Sequence, residues 1–148
     1  MKPAHKDAEM GKVTVDIELS NYRDREDCEA GKLGTDKVRA VKLSALVDTG
    51  STMLIAPAEV IKILGLHRIR TTRSRIADGK IIERGVYGPA RLALMGREVL
   101  VEVAEGPSSI PVLLGQIPLE SLDFHIDPKG QRLIPNPESP DMALIDIF

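Results

Sequence analysis

The chain has no tryptophan, and two Tyr and two Phe hold its aromatic content to 3% of 148 residues. Its core must therefore be aliphatic, built from Val, Ile, Leu and Ala, with five Met available beside them. A single cysteine, Cys28, excludes an internal disulfide and any multi-cysteine zinc site. That usage fits a reducing cytoplasm, the location expected here, although a disulfide-free secreted protein has the same composition. No apolar run approaches the ~18 residues a membrane-spanning helix needs, so no membrane partner is expected. Met1-Lys2-Pro3-Ala4-His5-Lys6-Asp7 has no apolar stretch behind it and does not read as a secretory signal. Nor is there an excess of charge. Twenty Lys and Arg against 22 Asp and Glu leave −2, a balance with no field to draw nucleic acid. His5, His67 and His125 are scattered without ligand spacing, so neither a metal nor another cofactor is expected.

What is present suffices for one domain with one core. Hydrophobic residues make up 43% of the chain, and their period is mostly two. Val13, Val15, Ile17 and Leu19 alternate with polar residues, as in a half-buried strand. Ser20 to Lys37 is polar and reads as an exposed loop or long hairpin tip. A strand from Val38 to Val47 and a short one from Met53 to Ala56 follow. Pro57 to Leu64 carries a helical apolar stripe, with Gly65 as its stop. Ala77-Asp78-Gly79-Lys80 is a turn signal between two strands. A second hairpin turns at Met95-Gly96-Arg97. Val112 to Leu114 is a short apolar strand, Leu119 to Leu122 a short helix after Pro118, and Phe124 to Ile134 a last hairpin. The domain is expected over 13–134, between an N-terminal extension, 1–12, and a C-terminal tail, 135–148. The apolar end of that tail reads either as a docking or dimer-interface strand or as a free terminus.

One feature of this pattern carries chemistry. Asp48-Thr49-Gly50-Ser51 lies between the apolar stretches Val41 to Val47 and Met53 to Ile55. A carboxylate at the end of a buried strand is a costly placement unless it is used. Two carboxylates in contact can hydrolyse an amide: they share one proton, and the ionised one activates water while the protonated one polarises the carbonyl. Gly50, without a Cβ, would let two such loops approach. Thr49 offers a hydroxyl to lock them together, and Ser51 one to hold the carboxylate in plane.

Val47-Asp48-Thr49-Gly50-Ser51 resembles the active-site signature of the aspartic proteases, and the chain as a whole resembles their retropepsin-like branch. Asp-Thr-Gly alone arises by chance in roughly 3% of chains this long, so the order of the surrounding features matters more. Val112-Leu113-Leu114-Gly115 before a short helix matches the late hydrophobic-hydrophobic-Gly segment of that family. The hairpin at Ala77, Asp78 and Gly79 falls where the family's flap lies. The resemblance implies a mostly β, closed-barrel-type half of an acid protease with one or two short helices. It also implies an aspartic endopeptidase with catalytic Asp48, Thr49 and Gly50, supporting Ser51, and a pocket wall at Val112, Leu113, Leu114 and Gly115. The chain holds one Asp-Thr-Gly, so the active unit is expected to be a homodimer cleaving an extended peptide or protein substrate.

Departures are equally specific. Retroviral members carry an Arg after the late Gly, paired with an Asp four residues beyond the catalytic one; here those positions hold Gln116 and Thr52. The basic cluster His67, Arg68, Arg70, Arg73 and Arg75 is open to an acidic partner, substrate or nucleic acid, but it has no aromatic platform beside it and reads rather as the solvated face of an edge strand. A non-catalytic peptide-binding or scaffolding module on the same fold is the alternative function, since fold does not dictate activity.

Overall fold

The computed structural model describes residues 12–145. Strand β1 (Thr14–Asn21) pairs antiparallel with β2 (Ala40–Val47), Ile17 opposite Leu43. After β3 (Leu54–Pro57) and helix α2 (Ala58–Leu64), β4 (His67–Arg75) and β5 (Ile81–Leu94) form one hairpin. Strand β6 (Arg97–Gly106) turns back on β5. The three-residue β7 (Val112–Leu114) then inserts between β2 and β3, parallel to β2.

The order β1-β2-β7-β3-β6-β5 closes on itself, because β1 also pairs with β5 through Leu19 and Leu92. The expected mostly β architecture is thus a closed six-stranded barrel. Strand β4 is appended outside it as a free edge, where the basic cluster was expected. There His67, Arg68, Arg70, Arg73 and Arg75 are all exposed, and Arg70 meets Glu102 at 2.6 Å. Such charges discourage pairing with another chain.

Alternation along each strand turns one set of side chains inward. Leu19, Leu54, Leu92, Val103 and Leu114 are wholly buried and meet in one aliphatic core. Helix α2 adds Ile61 and Leu64. Pro57 is its N-cap rather than its first helical residue, and Gly65 ends it at φ 62. Glycine also leaves room there for the Arg39 guanidinium, which a Cβ would strike. Helix α3 (Gln116–Leu122) begins a turn earlier than expected. Pro118 is tolerated in its first turn, where backbone N–H groups lack intrahelical partners.

The segment expected to be a loop, Ser20–Lys37, is instead ordered. It holds the end of β1, a third α-helix, α1 (Tyr22–Glu29), and a short 3-10 turn (Thr35–Lys37). Helix α1 has no apolar face, so periodicity could not reveal it. Capping and one ion pair hold it. Asn21 Oδ1 accepts the Asp24 N–H at 3.1 Å, and Asn21 Nδ2 donates to the Leu64 carbonyl at 2.9 Å. The Asp24 carboxylate accepts from Arg39 Nε at 2.8 Å and Nη2 at 3.0 Å. These bonds hold the Asp24 carboxyl below its ordinary pKa.

Strands β8 (Phe124–Asp127) and β9 (Arg132–Pro135) form a separate hairpin. Packing continues past residue 134. Arg97 donates to the carbonyls of Leu122 at 2.8 Å, Asp123 at 2.9 Å and Ser139 at 2.5 Å. The Asp123 carboxylate accepts from Asn136 Nδ2 and the Leu144 N–H, each at 3.0 Å, and from the Ser139 hydroxyl. Residues 136–145 form no strand. Their attachment is polar, while Met142, Leu144 and Ile145 stay exposed. The expected N-terminal extension, apart from Lys12, and the last three residues of the tail lie outside the described residues.

Candidate functional site

The Asp48 loop is fixed by the segment that follows β7. Val47 and Leu114 lie side by side in the parallel β2–β7 pair. The Asp48 N–H donates to the Leu114 carbonyl at 2.9 Å. Beyond it, the N–H groups of Gln116 and Ile117 donate to the carbonyls of Ser51 at 2.8 Å and Thr52 at 3.0 Å. Between these clamps, Gly115 is buried directly beneath the loop. A Cβ there would meet the Met53 carbonyl oxygen at 2.2 Å and the Ser51 carbonyl oxygen at 2.8 Å. The Asp-Thr-Gly-Ser and Leu-Leu-Gly segments, distant in sequence, are thus one backbone unit.

Within the loop, the Asp48 carboxylate is held at both oxygens. Gly50 N–H donates to Oδ1 at 3.0 Å and the Ser51 hydroxyl to Oδ2 at 3.2 Å. The Ser51 N–H closes the turn on the Asp48 carbonyl at 3.0 Å. The expectation of a carboxylate buried at a strand end needs correction: Asp48 is only half-buried, and Thr49 and Gly50 are exposed. Strand β2 stops at Val47 and the loop turns outward, so the carboxylate keeps contact with solvent. The Ser51 hydroxyl makes the expected bond to the carboxylate. Thr49 stands at the tip, beside a hollow of about 310 Å³ that Gln116, Phe124 and His125 also line.

On the other side of the loop a cleft of about 420 Å³ separates Gly50, Ser51 and Met53 from the β4–β5 hairpin. Leu113, Ile55 and Ala104 form its floor, and Arg73 to Ala77 and Arg84 its far side. Among the expected wall residues, Leu113 lines this cleft. Val112 and Leu114 turn into the core, and Gly115 lies under the loop. Of the hairpin residues, Ala77 lines the cleft; Asp78 and Gly79 make the exposed turn, where Asp78 Oδ1 accepts the Lys80 N–H at 2.9 Å. The two positions noted as departures, Gln116 and Thr52, are engaged separately. Gln116 Nε2 donates to Glu120 one helical turn on, at 2.9 Å, and Thr52 contributes only its carbonyl.

Arg84 is the cleft residue that reading for motifs missed. A faint signal was present: in the run Ile82, Arg84, Val86, every second residue shares a face, and Arg84 is the one charge on it.

Among the described residues no three His, Cys, Asp or Glu converge to hold a metal, and no helix is long and apolar enough to cross a membrane. No protein-family model matches the chain, and no curated protein matches it either.

Proposed function

We propose that this protein is an aspartic endopeptidase, active as a homodimer in which two Asp48 carboxylates, one from each subunit, share one catalytic site. The observation that carries this reading is the carboxylate's double anchoring. Gly50 N–H and the Ser51 hydroxyl fix its two oxygens, in a loop clamped by the Leu114–Ile117 backbone. Such rigidity suits a group that must meet a reacting atom at a set distance. The exposed tip at Thr49 and Gly50 leaves the loop open to a second copy of itself.

Two abutting carboxylates cannot both ionise, so the pair holds one proton. The ionised Asp48 takes a proton from water as the water oxygen bonds to the substrate carbonyl carbon. The protonated Asp48 gives its proton to the carbonyl oxygen, forming a tetrahedral diol. The Asp48 that took the proton from water then passes it to the amide nitrogen, and the other takes one back from a diol hydroxyl. The C–N bond breaks, and an acid and an amine leave with the pair again holding one proton. A peptide would lie extended in the cleft, with the β4–β5 hairpin covering it as a flap.

The test is digestion of a complex peptide library from acid to neutral pH, wild type beside Asp48→Asn, read by mass spectrometry. The variant should lose about 10²–10⁴-fold in rate with an unchanged circular dichroism spectrum. Equal cleavage by a folded Asp48→Asn, or no cleavage by wild type at any pH, would overturn the reading.

A further inference from the structure

The cleft beside Asp48 is cationic without a counter-charge of its own. Three arginines line it, Arg73, Arg75 and Arg84, and no Asp or Glu does. Their side chains differ in direction. Arg73 and Arg75 are exposed positions on β4, alternating with the half-buried Thr72 and Ser74. Arg84 is half-buried on β5, opposite Thr72, and so shares the inward face of that hairpin.

The Arg84 guanidinium is only partly satisfied. Its Nη1 donates to the Glu105 carbonyl at 2.9 Å. Its Nε is closed off from solvent and has no hydrogen-bond partner among the described residues. No carboxylate of those residues lies in ion-pair range of it. The Glu105 carboxylate is turned instead to the Tyr87 hydroxyl, at 3.1 Å.

A half-buried cation with an unpartnered buried nitrogen and no anion is a costly arrangement for folding alone. It becomes favourable when a ligand supplies the anion to the remaining N–H groups of Nη1 and Nη2, because a guanidinium beside apolar walls binds a carboxylate through charge-assisted bonds. Leu113 and Ile55 supply such walls here and suit the aliphatic stem of the same side chain. We propose that this cleft takes peptides carrying an acidic side chain next to the cleaved bond, and that Arg84 is the residue that reads it. The substrate class rests on the protease reading; the binding preference does not.

The experiment compares matched peptides that differ only by Glu or Gln at one position, scanned through the residues flanking each cleavage site. At pH 6, wild type should favour the Glu peptide at one position by about 10- to 100-fold in kcat/KM. Arg84→Gln should bring that ratio close to one, and Arg84→Lys should keep its direction with a smaller size. A wild-type ratio near one at every position overturns the proposal, as does a ratio undiminished in Arg84→Gln. Binding of the same pairs to Asp48→Asn is measured by fluorescence anisotropy. A Glu preference there supports the Arg84 subsite even if wild type cleaves nothing, which would sink hydrolysis alone. Equal binding of both peptides removes the subsite while leaving any observed cleavage standing.

Discussion

Gly115 lies beneath Met53 so closely that a methyl group on its Cα would stand 2.2 Å from the Met53 carbonyl oxygen. The backbone of Gly115 is ordinary, with φ −85, so space rather than torsion requires glycine. Gly115→Ala must push the 51–53 backbone away and with it the support of Asp48. The expected cost is about 1–3 kcal/mol, read as a lower midpoint in urea with an unchanged slope. Activity should fall further than stability alone explains, because the displaced element is the loop that orients the carboxylate.

The proposed sharing of one site between two chains has a consequence for mixtures. A ninefold excess of Asp48→Asn subunits, allowed to exchange, leaves most wild-type subunits paired with an inert partner. Activity should drop about tenfold relative to the same amount of wild type alone. Activity unmoved by the excess would mean that each chain works by itself.

Asp123 makes the tail's attachment sensitive to acid. Its carboxyl is held at about 2, below the ordinary 3.8, first by the Ser139 hydroxyl, then by the Leu144 N–H and Asn136. A folded value below the unfolded one means that the ionised form favours the fold. This stabilisation is complete above pH ~4 and is lost as the pH falls toward 2. Asp24, lowered by Arg39, acts with the same sign. Asp123→Asn should therefore lower Tm at pH 6, and the gap to wild type should narrow below pH 3. Limited proteolysis at pH 6 should cut the variant first within 136–145.

The strands were legible because one face of each meets an aliphatic core: Val13, Ile17 and Leu19 alternate cleanly, and the Asp-Thr-Gly loop sits between two such runs. Barrel closure was expected from the resemblance alone, since nothing in Leu19 or Leu92 announces that they pair across the chain. Helix α1 escaped notice because Tyr22 to Glu29 buries only Asp24 and owes its place to Asn21 and Arg39, contacts with no period. Arg97, Asp123 and Ser139 likewise are ordinary polar residues until the fold brings them together. At the candidate site, the Asp48 loop and its Leu-Leu-Gly partner were readable as motifs. The cleft's charge was not, because it depends on which way three arginines point.

The insertion of β7 between β2 and β3 also makes the Asp48 loop depend on a distant part of the chain. Strands β2 and β3 are neighbours in sequence but do not pair directly; the gap between them stays open until residues 112–114 arrive. Contacts of such long sequence separation form late, after the entropy of closing the intervening chain has been overcome. A chain still emerging from the ribosome has residues 48–51 long before it has their clamp. The bonds that clamp residues 48–52 come from Leu114, Gln116 and Ile117, so a chain that stops short of them carries the aspartate without its clamp.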